Sequence, residues 1–292
     1  MMAGGGPTRT GLFSGRVRLG HKPVRQLRAR GAVQASPVFG AEGQVVVADM
    51  SGVVQAFDVR GKRMWERRLE GSVSSTPALD VQGRRLFVGT HRGHLYGLNC
   101  SDGELLWDTV LPSRSDPRIV SDLLWVPGLN LVVGSSWGGQ FAAVDAGSGK
   151  TKHAWDAGIS PQAGASADCA GAVYFQRAVA GEGVICARRT PDGVETSLHR
   201  EPESKRGAWR TVVASAPVID ELRGRVYFVV NIDAGCDVLV WGVVEKAMVW
   251  RRHLPKMVVG TPAVRSDGVV VVSDMDGILY ALGADGTVAF GY

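Results

Sequence analysis

The stretch VSSTPALDVQGRRLFVGTHRGHLYGLNCSDGELLW, Val73 to Trp107, decides how this chain folds. Val73 to Leu79 reads as an extended segment around Pro77, a residue that cannot donate a ladder hydrogen bond and so belongs at an edge or a strand end. Gly83 turns the chain, Leu86-Phe87-Val88 reads as a buried strand, and Arg92-Gly93 supplies the positive φ of a tight hairpin. Leu95 to Leu98 runs back, Asp102-Gly103 turns again, and Glu104 to Leu111 carries Trp107 on a fourth strand.

The same order of parts recurs along the chain. Ser36-Pro37, Thr76-Pro77, Ala216-Pro217 and Thr261-Pro262 mark four copies, and Ser121-Asp122 and Ser166-Ala167 mark two degenerate ones, at intervals of 40, 45, 45, 50 and 45 residues. A period of about 45 suits a unit of four short strands. Valine-rich strands, Gly turns and a late aromatic repeat at matching offsets. Trp65, Trp155, Trp250 and Phe290 stand where Trp107 stands, and copies four and five are the most worn.

Strands of four to seven residues joined by short turns leave no window of helical periodicity, so the fold class is all-β. Each sheet is apolar on both faces and cannot hide them alone. Radial stacking into a β-propeller satisfies both faces and leaves only short edges. Six blades are expected, or seven if the N-terminal arm and the C-terminal tail make one more. Val24 to Arg30 matches the fourth-strand position of the other copies, so it is expected to pair into the sixth blade and close the ring. The domain reading is a basic arm over 1–23 and one propeller over 24–292.

Ala56-Phe57-Asp58-Val59-Arg60-Gly61-Lys62-Arg63-Met64-Trp65 and Leu98-Asn99-Cys100-Ser101-Asp102-Gly103-Glu104-Leu105-Leu106-Trp107 resemble the tryptophan-docking motif of the quinoprotein alcohol dehydrogenase-like (PQQ-like repeat) propellers. Ala143 to Lys150 with Trp155 is similar, with a small insertion. The resemblance spans residues 24 to 292 and implies that Trp65, Trp107, Trp155, Trp250 and Phe290 dock each blade on its neighbour. Its dehydrogenase members hold pyrroloquinoline quinone with calcium through clustered carboxylates and adjacent cysteines. This chain has no adjacent cysteines and no matching carboxylate set, so the resemblance implies a non-catalytic member, with no cofactor and no metal. Trp107-Asp108 and Trp155-Asp156 spell the WD dipeptide, but Trp65-Glu66 and Trp250-Arg251 do not keep it.

Composition sets further bounds. The chain has 292 residues, 45% hydrophobic and 21% charged, with no apolar run of membrane-spanning length and 39 glycines, nearly twice the ordinary share. The net charge of +5 is confined to one end: Arg9, Arg16, Arg18, Lys22, Arg25, Arg28 and Arg30 precede the first acidic residue, and the remainder is slightly acidic. A charge so placed reads as a solvated arm rather than a nucleic-acid surface. Cys100, Cys169, Cys186 and Cys236 follow no metal-binding rhythm and read as reduced thiols. The first residues lack the apolar core of a secretory signal, which as written points to the cytoplasm. A missing upstream signal peptide would point instead to the periplasm or the exterior.

Three motifs fail on inspection. Gly149-Lys150-Thr151 lacks the upstream glycine and following helix of a phosphate loop. Gly134-Ser135-Ser136-Trp137-Gly138 fits G-x-S-x-G, but Gln140 to Asp145 alternates as a strand where that motif needs a helix. His91 and His94 flank a tight turn without evident carboxylate partners for a metal. Departures from the repeat carry the remaining functional signal. Arg206, Trp209 and Arg210 lie in the most charged insertion, and Arg118 and Asp122 replace small residues where a first strand should face the central channel. These five are the candidate binding residues. The expected function is a monomeric, non-enzymatic scaffold that binds a protein, with carbohydrate as another ligand class. The alternative is a quinone-dependent or carbohydrate-active propeller using the channel mouth.

Overall fold

The computed structural model describes residues 26–80, 82–158, 163–203, 215–232 and 235–291. Among them are six antiparallel sheets of four strands, each made from four consecutive strands in chain order. Blade 1 holds β1 (Val38–Phe39), β2 (Val45–Ala48), β3 (Val53–Phe57) and β4 (Arg63–Arg68). Blade 2 holds β5 (Ala78–Leu79), β6 (Arg85–Gly89), β7 (His94–Asn99) and β8 (Leu105–Val110). Blade 3 holds β9 (Leu124–Val126), β10 (Leu131–Ser136), β11 (Gln140–Asp145) and β12 (Thr151–Asp156). Blade 4 holds β13 (Ser166–Ala167), β14 (Val173–Val179), β15 (Gly183–Arg189) and β16 (Glu195–Glu201). Blade 5 holds β17 (Val218–Asp220), β18 (Arg225–Ile232), β19 (Gly235–Gly242) and β20 (Ala247–Leu254). Blade 6 holds β21 (Ala263–Val264), β22 (Val270–Ser273), β23 (Leu279–Leu282) and β24 (Val288–Gly291). The arrangement is a six-bladed β-propeller.

Burial follows strand order within a blade. All five residues of β3 are buried, because that strand is covered on both faces, whereas β4 at the outer edge buries little besides Trp65. The short first strands of successive blades run beside one another along the axis from blade 2 to blade 6. Side chains tie them: Ser36 N–H donates to Thr76 Oγ1 at 3.3 Å, Thr76 N–H to Asp122 Oδ1 at 2.9 Å, and Ser166 Oγ to the Pro217 carbonyl at 2.6 Å. Apolar clusters join blades 1 to 3, 3 to 4, 4 to 5 and 5 to 6. Among the described residues none joins blade 6 to blade 1, and Phe39, Met275, Ile278 and Leu279 are exposed.

The closing strand expected from Val24 to Arg30 is absent from its described part. Gln26 to Arg30 forms no strand, and blade 6 takes its fourth strand, β24, from the C-terminal tail. Arg30 bonds Glu66 on β4 at 3.1 Å instead, and Gly31 N–H donates to Asp49 at 2.8 Å. The backbone therefore meets blade 1 at the buried Asp49, although blade 6 carries an equivalent buried carboxylate in Asp274, which accepts from Asp276 and Ile278 N–H as Asp49 accepts from Ser51 and Val53. Val24 and Arg25 lie outside the described residues.

A bulge between the third and fourth strands fixes one docking position per blade. Immediately before it stand the pairs Ala56 and Trp65, Gly97 and Trp107, Ala143 and His153, Cys186 and His199, Val240 and Trp250, and Ala281 and Phe290. At this position Trp65, Trp107 and Trp250 reach into the next blade and donate Nε1–H to the carbonyls of Cys100, Ala146 and Ala284 at 3.0, 3.0 and 2.8 Å. Each indole lies on a glycine four residues past the end of the next blade's third strand. A Cβ on Gly103, Gly149 or Gly286 would sit 2.6 to 2.9 Å from the ring, and each has a positive φ. Trp155 stands two residues beyond the docking position, paired with Phe141, so its Nε1 finds no partner among the described residues. It packs against Phe141 and Phe175 and lies under the Arg189 guanidinium, 5.1 Å from the ring centre. The side chain of Phe290 lies outside the described set.

Candidate functional site

One rim of the propeller carries the second-to-third-strand hairpins and the linkers that lead into each blade. A repeated backbone bond joins the two. Met50 N–H donates to Ala32, His91 to Ser72, Trp137 to Arg118 and Met275 to Met257, at 2.9, 2.8, 2.7 and 2.9 Å. The hairpin residue at this register is thereby held at the rim with its side chain partly or fully exposed. Met50, His91, Trp137 and Met275 are equivalents, and the bond fixes which linker residue each one meets.

At blade 3 the tie places Arg118 on Trp137, with the guanidinium carbon 5.3 Å from the ring centre. Asp116 orients it through bonds of 3.1 and 2.9 Å to Nε and 2.7 Å to Nη2. The Arg118 hydrogen bonds hold the Asp116 carboxyl below its usual range and push the guanidinium up, so both stay charged. His91 lies next to this pair and bonds Ser74 Oγ at 2.7 Å. Burial, and then the Arg118 cation, hold His91 below the usual imidazole range, with Asp116 acting in the opposite sense. The result is a flat, fixed cation on an aromatic ring beside a neutral imidazole. Trp and Arg are enriched among the few residues that carry most of the binding energy of protein interfaces.

Of the residues singled out from sequence, Arg118 lies on this rim. Asp122 does not join it: its carboxylate accepts from Thr76 and links first strands in the channel wall. Arg206, Trp209 and Arg210 lie outside the described residues. Trp137, Asp116 and His91 complete the site, and sequence reasoning met Trp137 and His91 only inside motifs that failed. Aligning residues 50, 91, 137 and 275 as one hairpin position is the signal that finds them.

The failed motifs stay failed. Ser136 closes β10 and a hairpin leads straight into β11, so no helix follows to form a nucleophile elbow. His94 bonds Asp108 at 2.8 Å and stacks on Tyr96, apart from His91. Among the described residues no three His, Cys, Asp or Glu side chains come together as a metal site, and all four cysteines are unpaired with one another. That donor set does not fit a quinone held with calcium, and no redox step is assigned to it.

A second polar cluster on the same rim spans blades 4 and 5. Buried Asp237 accepts from Arg251 and, at 2.9 Å, from His253 Nδ1. Glu201 bonds both His199 and Arg251 at 3.2 Å. These bonds stitch β16 to β20 and read as structural.

A family model described as outer membrane protein assembly factor BamB matches residues 50–282. The chain is 33% identical over 89 residues to outer membrane protein assembly factor BamB of Escherichia coli strain K12, an alignment covering 27% of this chain and 23% of that protein. It is 28% identical over 149 residues to the Yersinia pestis protein of the same name, covering 47% and 36%. The chain thus aligns with well under half the length of these curated relatives. Among solved structures it is similar to BamB from Moraxella catarrhalis, with a TM-score of 0.68 and 18% identity over 94% of this chain and 81% of that one. It is also similar to Saccharomyces cerevisiae Sqt1, with a TM-score of 0.69 and 15% identity over 87% and 72%. At these identities the structural likeness speaks to fold alone. The family match, by contrast, takes in most of the chain, and the protein belongs to the PQQ-like repeat propeller family described as outer membrane protein assembly factor BamB.

Proposed function

We propose that the chain is a non-enzymatic scaffold that binds a protein partner through the rim of hairpins and linkers, in the assembly of outer membrane proteins. The observation that carries this reading is the Arg118–Trp137 platform, pre-oriented by Asp116 and exposed where four blades present equivalent hairpin residues. The relatives' name supplies the process. The relatives' name supports the periplasmic alternative over the cytoplasmic one. No helix among the described residues is long and apolar enough to cross a membrane. Arg206, Trp209 and Arg210, outside the described residues, are included in the proposal on the strength of their sequence alone.

Affinity capture from the source cells tests the reading. Trp137→Ala and Arg118→Ala are expected to lower recovery of a specific partner at least tenfold while the thermal transition stays within a few degrees, the usual cost of losing an aromatic or Arg anchor. Trp209→Ala tests the linker in the same assay. Unchanged recovery with Trp137→Ala, Arg118→Ala and Trp209→Ala would remove the rim from consideration.

A further inference from the structure

Among the described residues the junction between blades 4 and 5 has no tryptophan at its docking position, and a cavity opens there. His199 holds the docking position of blade 4 but turns to Glu201. The receiving turn of blade 5 is altered to match: four residues past the end of β19 stands Lys246, with φ +52, where Gly103, Gly149 and Gly286 lie under indoles. At the junction of blades 3 and 4, where His153 holds the docking position, Trp155 and Arg189 leave a void of only about 30 Å³. Between blades 4 and 5 the cavity is about 560 Å³, within the roughly 300–1,000 Å³ of ligand pockets.

Its lining is that of a binding site. Tyr174 and Trp241 are aromatic walls, Arg188 and Lys246 are two cations, Ser197 supplies a hydroxyl, and Val243 stands at the start of the receiving turn. Arg188 is already placed, bonded to Tyr174 Oη at 3.0 Å with its guanidinium 5.7 Å from the ring. The Val243 carbonyl follows β19 directly, as those of Cys100 and Ala146, which accept indole N–H bonds, follow β7 and β11.

We propose that this pocket receives an aromatic side chain, tryptophan above all, from an acidic segment of a partner protein. The indole takes the place that the chain's own Trp65, Trp107 and Trp250 take at other junctions. Carboxylates flanking it meet Arg188 and Lys246 at the mouth. The pocket opens on the rim opposite the Arg118–Trp137 platform, so the inference goes beyond the proposed function and can fail separately from it.

The test titrates the full chain with N-acetyl-Asp-Trp-Asp-amide carrying 5-fluorotryptophan, followed by ¹⁹F NMR. Saturable binding below 1 mM is expected, at least tenfold weaker for the Lys-Trp-Lys peptide and absent for Asp-Ala-Asp followed by calorimetry. The double variant His199→Trp with Lys246→Gly rebuilds the internal plug and is expected to abolish binding. Arg188→Gln and Lys246→Gln are expected to weaken the acidic peptide at least threefold while leaving Gly-Trp-Gly unchanged, which guards against simple misfolding. Trp137→Ala is expected to leave the titration as it was. No saturation at 5 mM, equal binding of both charge types, or full binding by the plugged variant would each overturn the proposal.

Discussion

Replacing each blade-facing tryptophan by phenylalanine separates docking from mere burial. Trp107 is 8% exposed and sits on Gly97 and Gly149, which no side chain could replace without collision. An indole so buried covers about 200 Å² of surface, worth about 5 kcal/mol at 25 cal/mol per Å². Phenylalanine keeps most of that area. It loses the Nε1 bond and leaves the Ala146 carbonyl in the blade junction without its donor, a cost of about 2 kcal/mol. Trp155 is buried to the same degree, but its Nε1 has no partner among the described residues. Phe there removes a desolvated donor as well as some contact, so the two effects offset to within about 0.5 kcal/mol. Urea unfolding with unchanged m-value should therefore place W107F about 1.5 kcal/mol below W155F, with W65F close to W107F. If W155F is as costly as W107F, the hydrogen bond is not what makes the docking position, and the register argument is wrong.

The same geometry fixes other outcomes. Asp49 is buried, which raises a carboxyl's pKa, but bonds from Ser51, Gly31 and Val53 outweigh this and hold it below its ordinary value. A depressed carboxyl stabilises above its unfolded pKa of about 4 and loses that contribution as pH falls through the folded value. Asp49→Ala should thus cost about 2–3 kcal/mol at pH 7, shrinking in melts run progressively below pH 4. Lys246→Gly relieves a side chain held at positive φ and should raise stability by about 0.5–1 kcal/mol in denaturant titrations; destabilisation would mean that the turn depends on the lysine. Burial pushes the Cys100 thiol up to about 11 and that of Cys236 to about 12, and raises Cys186 further still, whereas Cys169 is exposed and raised chiefly by the Glu221 carboxylate. Iodoacetamide at pH 8, read by mass spectrometry, should label Cys169 alone among the four, and faster in Glu221→Gln; rapid labelling of Cys100 would contradict the packed interior of blades 1 and 2.

The blade count was legible because each unit must conceal two apolar faces, and that demand writes itself into sequence as valine runs between glycine turns every 45 residues or so. Val45 to Ala48 and Val270 to Ser273 are two such runs, and both are strands. Bulge register was harder to read. Trp155 matches Trp107 by eye but falls two residues past the docking position, a shift that depends on where the ladder slips rather than on residue type. Arg118 was legible as a departure from the repeat, but its platform was not, because Trp137 comes from the other side of a 2.7 Å backbone bond between linker and hairpin. Asp122 shows the converse: a polar residue just ahead of a first strand serves the neighbouring blade's backbone.

Periodic burial is a property of neighbours along the chain, so the sequence by itself determined the all-β class, the four-strand unit and six repeats of it. Which side chains converge is a property of how blades meet. Only the tertiary structure decided that Arg30 and Gly31 meet blade 1, that Arg118 stacks on Trp137, and that a cavity opens between blades 4 and 5 where His199 and Lys246 hold the places that tryptophan and glycine hold at other junctions. The physical reason is that such contacts join residues from 18 to 51 positions apart through geometry that no local pattern encodes.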